Sequence, residues 1–159
     1  MSTDTQILVP DADALIQEFL GATKGKLDDH AIESTVSHFK QLGAAASPYP
    51  AKGGLTSLVF YIQCKCSLTE PNGNQWNFSG DAGGFASPGG GALFGYVYPT
   101  DNLSELVQNT VSFMLIPAPA YTSFVFFDSH SKNLGSFQSV NASTIVGTPF
   151  GGSGKWERK

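Results

Sequence analysis

Residues 89–156 read GGGALFGYVYPTDNLSELVQNTVSFMLIPAPAYTSFVFFDSHSKNLGSFQSVNASTIVGTPFGGSGKW. Aromatic and β-branched residues dominate this stretch, charge is sparse, and Gly, Pro and Asn/Asp/Ser clusters cut it at short intervals. A chain of that kind folds as successive antiparallel strands. In its first segment Ala92, Phe94, Tyr96 and Tyr98 alternate with Leu93, Gly95 and Val97, and Pro99 closes the run. Four more strands are expected at 111–116, 121–127, 134–138 and 144–148, separated by turns at PAP, DSHSKN and VNAS. A last, glycine-rich strand is expected at 152–156. Residues 100–108 read instead as a short helix. Asn102 stands three residues before Glu105, a capping-box spacing, and Leu103, Leu106 and Val107 form one apolar stripe that would plug a barrel end.

Working back from that stretch, the period stays at two. Leu58, Phe60, Ile62, Cys64, Cys66 and Leu68 share one face of a strand, and Val59, Tyr61, Gln63, Lys65 and Ser67 share the other. Residues 70–74, EPNGN, are a strong turn signal, and the return strand carries Trp76 and Phe78 on one face. The GDAGGFASPGGG segment at 80–91 fits a bulged strand, a corner or a loop. Eight short strands with hairpin spacing predict a closed barrel or a jelly-roll-like sandwich, closure being the way to remove exposed edges. Phe60, Ile62, Phe113 and Val125 are expected to point inward.

The N-terminal third has a different period. Leu15, Ile16, Phe19 and Leu20 form a helical stripe behind Asp11 and Asp13, with Gly21 as a stop. Ile32, Val36 and Phe39 form a second stripe, in a helix starting at Asp28 or Asp29 and ending near Lys40 and Gly43. Helices this short are marginal alone, so the stripes must pack on each other or on the barrel. The domain reading is a tail at 1–10, a helical segment at 11–43, a linker at 44–54, a barrel at 55–156 and a tail at 157–159.

Eighteen glycines and twelve phenylalanines in 159 residues couple tight turns and close backbone approach to large core-filling rings. Net charge is −4, and residues 1–50 account for all of it with seven acids against three bases. Residues 51–159 hold six of each. Without a basic stripe, nucleic acid is not an expected partner. Cys64 and Cys66 lie on one strand face and read as buried thiols rather than a disulfide or a zinc site. The N-terminus MSTDTQILVP has no basic n-region or apolar h-region, so no signal peptide is expected, and no run is long enough for a membrane helix.

The segments GGGALFGYVY, DNLSELVQNTVSF, PAYTSFVFFDS, LGSFQS and GGSGKW, in that order and spacing, resemble the core domain of the Vap proteins, the virulence-associated protein A family of actinobacterial pathogens. With the strand TSLVFYIQCKC, the resemblance covers about two-thirds of the chain. It implies a mainly β fold: an eight-stranded antiparallel β-barrel with a short helix, here preceded by two N-terminal α-helices. It also implies no enzyme activity, no established pocket, no cofactor and no catalytic set to carry over. Its members are exported and act on host endolysosomal compartments, with lipid binding proposed for some. The partners it suggests are anionic membrane lipid or a host protein. Without a signal, the chain is expected in the cytoplasm or exported by a signal-independent route.

No motif argues for catalysis. His30, His38 and His130 lack metal-site spacing. Ser34 and His38 would share a helix face with Glu33 nearby, but without an oxyanion hole or strained elbow a solvated face explains them better. Asp128-Ser129-His130 reads as a turn. GGSGKW fails as a phosphate loop, because Pro149 and Trp156 stand where Gly and Ser/Thr are needed and no helix follows. Glu70 and Asp81 are conceivable as a carboxylate pair, yet both fall at turn positions. Three Asn-X-Ser triplets, at 77, 102 and 141, have no meaning without secretion. The reading is therefore a non-enzymatic, virulence-associated host-interaction protein. The alternative is a small-molecule or glycan-binding barrel module. Tyr96 and Tyr98 form a candidate contact patch if they face outward.

Overall fold

The computed structural model describes residues 12–23, 29–42, 48–84, 88–118, 121–139 and 150–159. Two helices come first, α1 (Ala12–Thr23) and α2 (Asp29–Lys40). Then follow β1 (Tyr49–Ser57), β2 (Tyr61–Thr69), β3 (Gln75–Gly83), β4 (Gly89–Pro99), α3 (Leu103–Asn109), β5 (Ser112–Ala118), β6 (Tyr121–Phe127), β7 (Asn133–Ser139) and β8 (Phe150–Arg158). The eight strands close into an antiparallel barrel in the order β1-β2-β3-β8-β5-β6-β7-β4. Four of its pairings join strands that are not consecutive in the chain: β1 with β4, β3 with β8, β5 with β8 and β4 with β7.

Eight strands were expected, but the set differs. Residues 49–54, read as linker, belong to β1, which pairs with β4 along its whole length and with β2 from Ala51 to Ser57. Lys52, Gly53 and Gly54 gave no alternation to read, and Pro50 argued against a strand. The expected strand at 144–148 lies outside the described residues. β2 starts at Tyr61, not at Leu58, because the chain turns over Val59 and Phe60. Leu58 N–H donates to Tyr61 O across that turn, and Val59 takes φ 78°. Phe60, expected inside, is therefore 72% exposed at the hairpin tip. Val125 is buried but faces outward, beneath the helices, since Phe124 and Phe126 take the inward positions of β6. Ile62 and Phe113 do line the interior.

The interior is filled by its own side chains. Phe78 meets Phe113, Phe126 and Trp156 with ring centroids 5.1, 4.9 and 5.5 Å apart, and Phe124 stacks on Phe137 at 5.3 Å. Glycine makes room for these rings. Gly80 and Gly154 pair across β3 and β8, and a Cβ on either would come within 2.6 Å of a phenylalanine carbon. Both cysteines are free and buried in the same core.

α3 closes the end of the barrel where β4 finishes and β5 begins. Asn102 caps it, its side chain accepting from Glu105 N–H at 2.8 Å, and Leu103, Leu106 and Val107 enter the interior core. The capping signal and the plug were both legible in the sequence.

α1 and α2 pack on each other through Phe19 and Phe39, edge to face at 5.6 Å, and together on the outside of the barrel. α1 runs through Gly21 to Thr23. On α2 the buried face is Ala31, Thr35, His38 and Phe39, while Ile32 and Val36 are half-buried at its margin. The face is thus rotated toward polar residues, away from the apolar stripe.

Candidate functional site

With the interior filled, the surfaces open to chemistry are the two outer walls, which meet along β4. Gly95 and the inward Leu93 and Val97 fix which way β4 faces. A Cβ at Gly95 would run into the Gln138 carbonyl of β7, so only glycine lets the strands approach here. Phe94, Tyr96 and Tyr98 therefore stand outward in a row.

On one side of that row, strand register carries two polar ladders around the barrel. Phe94 pairs with Lys52, Lys52 with Ser67 and Ser67 with Asn77. One step lower, Tyr96 pairs with Pro50, and Thr69 with Gln75. Between the ladders lies a groove of about 900 Å³, lined also by Lys159. Phe94, 51% exposed, and half-buried Tyr96 form its aromatic wall. Hydroxyl and amide groups form its floor, with Ser67 Oγ donating to Asn77 Oδ1 at 2.7 Å. Two of its lining residues are lysines and none is acidic.

On the other side of β4, the outer wall of β5, β6 and β7 is covered. Tyr98, Met114, Ile116, Val125 and Phe127 pack under Ile16, Phe19, Phe39 and Leu42. Tyr98 is only 2% exposed, so it is not a surface contact: it faces outward as its alternation with Val97 requires, but the helices lie over it. Its hydroxyl has no hydrogen-bond partner, and burial, with Tyr96 beside it, pushes its pKa up to about 12. Of the two tyrosines, Tyr96 alone reaches the groove.

Polar groups also run through this interface. His38 places Nε2 2.7 Å from Ser136 Oγ and Nδ1 3.2 Å from Thr100 Oγ1. Thr100 donates to Asn133 Oδ1, and Asn133 in turn donates to Thr35 Oγ1. Ser34 accepts from Asn133 N–H. Burial lowers the His38 pKa from 6.5 to about 4. A place in the last turn of α2 favours the cation by at most about 2 kcal/mol, less than the roughly 3 kcal/mol that such a shift represents.

The other sequence candidates are not brought into reactive geometry. Ser34 bonds to Ala31 O, and His38 turns to the barrel; Glu33 is exposed. Asp128 Oδ1 accepts from His130 and Lys132 N–H, which is turn chemistry. Glu70 holds Trp76 Nε1 at 2.8 Å, whereas Asp81 sits near the far end of β3. The GGSGKW segment lies within β8. Among the described residues no three His, Cys, Asp or Glu gather to hold a metal, and no helix is long and apolar enough to cross a membrane.

A family model described as Rhodococcus equi virulence-associated protein matches residues 5–157, nearly the whole chain. The chain belongs to that family. Two solved members share the barrel. VapB from the intracellular pathogen Rhodococcus equi is 33% identical with a TM-score of 0.63, the match covering 70% of this chain and 96% of VapB. VapD from the same organism is 29% identical with a TM-score of 0.65, covering 70% of this chain and 97% of VapD. No curated protein matches the chain. The span that the family model matches takes in α1 and α2 as well as the barrel.

Proposed function

We propose that this member of the virulence-associated family is a non-enzymatic host-interaction protein that engages anionic lipid at host endolysosomal membranes, using the outer groove beside β4. The observation that carries this reading is the groove's composition: an exposed aromatic wall of Phe94 and Tyr96, with Lys52 and Lys159 and no acidic residue in its lining. An amphiphile with a negative headgroup matches both features, its apolar part on the rings and its charge at the ammonium groups. The filled interior supports an outer site over one inside the barrel. The same groove is open to a small-molecule or glycan ligand. The cation pair favours an anionic one.

Co-sedimentation of the full chain with vesicles tests the proposal. Phosphatidylcholine vesicles containing phosphatidylserine should bind the protein, and pure phosphatidylcholine should bind it far less. Each lysine near the surface contributes about 1 kcal/mol at low salt. Lys52→Glu should therefore weaken binding at least fivefold, and Phe94→Ala should weaken it at any salt. Phe60→Ser, at the opposite end of the barrel, should not. Absence of binding to both vesicle types would overturn the lipid reading in favour of a host protein. Loss through Phe60→Ser alone would move the contact to the hairpin tip.

A further inference from the structure

The hydrogen bonds around His38 all run one way. Ser123 Oγ donates to Gln138 Oε1 at 2.5 Å, and Gln138 Nε2 donates to Ser136 Oγ at 2.8 Å. At the other end, Thr100 spends its hydroxyl hydrogen on Asn133 Oδ1 at 2.8 Å. Thr100 Oγ1 can then only accept from His38, which assigns the hydrogen to Nδ1 and leaves Nε2 as an acceptor for the Ser136 hydroxyl. The relay therefore specifies a neutral imidazole in one tautomer. A second proton on Nε2 would force the Ser136 hydroxyl to turn its hydrogen away, and that buried O–H would lose the imidazole as its acceptor.

We propose that His38 is an acid-sensitive latch: neutral, it ties α2 to β7 and to Thr100 beyond β4, and its protonation releases the helix pair from the outer wall of the barrel. Three features support the device. His38 is 4% exposed, so the cation would have no water around it. Among the described residues, the hydrogen-bond geometry around the ring offers it two hydroxyls, Ser136 and Thr100, and no carboxylate. On α2 Glu33 and Lys40 are exposed, and at the nearby barrel end Lys132 engages Asp101 at 2.9 Å and Glu105 at 3.7 Å. On α1 Asp13 is exposed, Asp128 is engaged in its turn, and burial is what moves the imidazole. Tyr98 stays neutral throughout, its pKa being raised to about 12. Finally, the polar bonds of α2 to the barrel converge on this one histidine and on Asn133 beside it.

The sign follows from the shift. The docked form holds His38 with a pKa near 4, and the released form returns it to 6.5. Protons are therefore taken up on release between those values. Docking is at full strength above pH 6.5 and weakens as pH falls, by about 30-fold at pH 5. Release would bare Tyr98, Met114, Ile116, Val125 and Phe127. Because Tyr96 borders both regions, that wall would become continuous with the groove, a consequence that rests on the lipid reading.

Amide hydrogen exchange on the full chain, corrected for intrinsic rates, tests the latch without any lipid. At pH 5, peptides from α2 should exchange about 30-fold faster than at pH 7.5, while those from β2, β3 and β8 keep their protection. His38→Gln, which cannot titrate, should abolish the difference. Unchanged α2 exchange at pH 5 in the wild type would overturn the proposal, as would equal acid loosening in His38→Gln. Should the Gln variant be loose already at pH 7.5, the wild-type His38 ring resonance decides. A midpoint near 6.5 with α2 still protected would exclude a latch, and acid loss of α2 protection in step with its protonation would establish one.

Discussion

The barrel's interior and its helix-covered outer wall bury comparable residues by different means. Inside, fit is a matter of volume: Phe78, Phe113, Phe124, Phe126 and Trp156 interlock, with Gly80 and Gly154 cleared for them. Outside, an apolar patch is crossed by a chain of directed hydrogen bonds through His38, Thr100, Asn133 and Ser136. An apolar core is indifferent to pH and intolerant of changes in size. A buried polar chain tolerates small changes in shape but fails when one donor becomes two. Such a contrast makes the helix pair the conditional part of the molecule and the barrel the permanent part.

The largest expected effect lies inside. Phe78→Ala removes the ring shared by four aromatic neighbours and should cost about 3–5 kcal/mol, lowering Tm by roughly 10 °C or more in thermal unfolding at pH 7.5. A loss under 1 kcal/mol would mean that the interior repacks freely, and the contrast with the outer wall would fail. Next is pH. His38 contributes stability that is complete above pH 6.5 and lost as pH falls through 4, about 3 kcal/mol in all. Urea titrations at pH 7.5 and 4.5 should show the loss in the wild type and less of it in His38→Gln. Over-packing ranks third. Gly154→Ala drives a methyl into the Phe78 ring and should cost about 1–3 kcal/mol, independent of pH. A Gly154→Ala cost that grew in acid would tie the two regions together.

The smallest effect sharpens the comparison most. Tyr98→Phe deletes a buried hydroxyl that has no partner, so it should be neutral or stabilise by up to about 1 kcal/mol. Any clear loss on chemical denaturation would place Tyr98 in the polar chain after all. Val59→Gly tests the hairpin tip in the same range. Relief of a β-branched residue at φ 78° should gain about 1 kcal/mol if the turn keeps its shape.

How much of this was legible depended on whether the signal was local. The alternation in β4, the bounds of β6, the Asn102 cap, the α3 stripe and the turn at Asp128 are each set by residues a few positions apart. They appeared in the sequence as they stand in the fold. β1 escaped because KGG offers no alternation and Pro50 argues against a strand, yet its two neighbours supply the missing order. Phe60 was misplaced because period two continues across Leu58–Ile62 while the backbone turns there. Val125 was misplaced because a hydrophobic strand with both faces buried has no polar side to orient it. Tyr96 and Tyr98 stood correctly on one face, but the alternation holds no information about what lies over that face.

The sequence alone determined the all-β core, its turns, the plug helix and the pairing of glycine with phenylalanine, because steric and hydrophobic periodicity act between near neighbours. Only the tertiary structure decided that Thr35 and His38 are buried, that Tyr98 is covered, and that Phe94, Lys52, Ser67 and Asn77 share one groove. Those residues are brought together by strand register and by a helix docked 98 positions away from its hydrogen-bond partner, His38 on Ser136. A histidine on an amphipathic helix is ordinarily solvated. It becomes a neutral, bonded and pH-sensitive group only when a second surface removes its water.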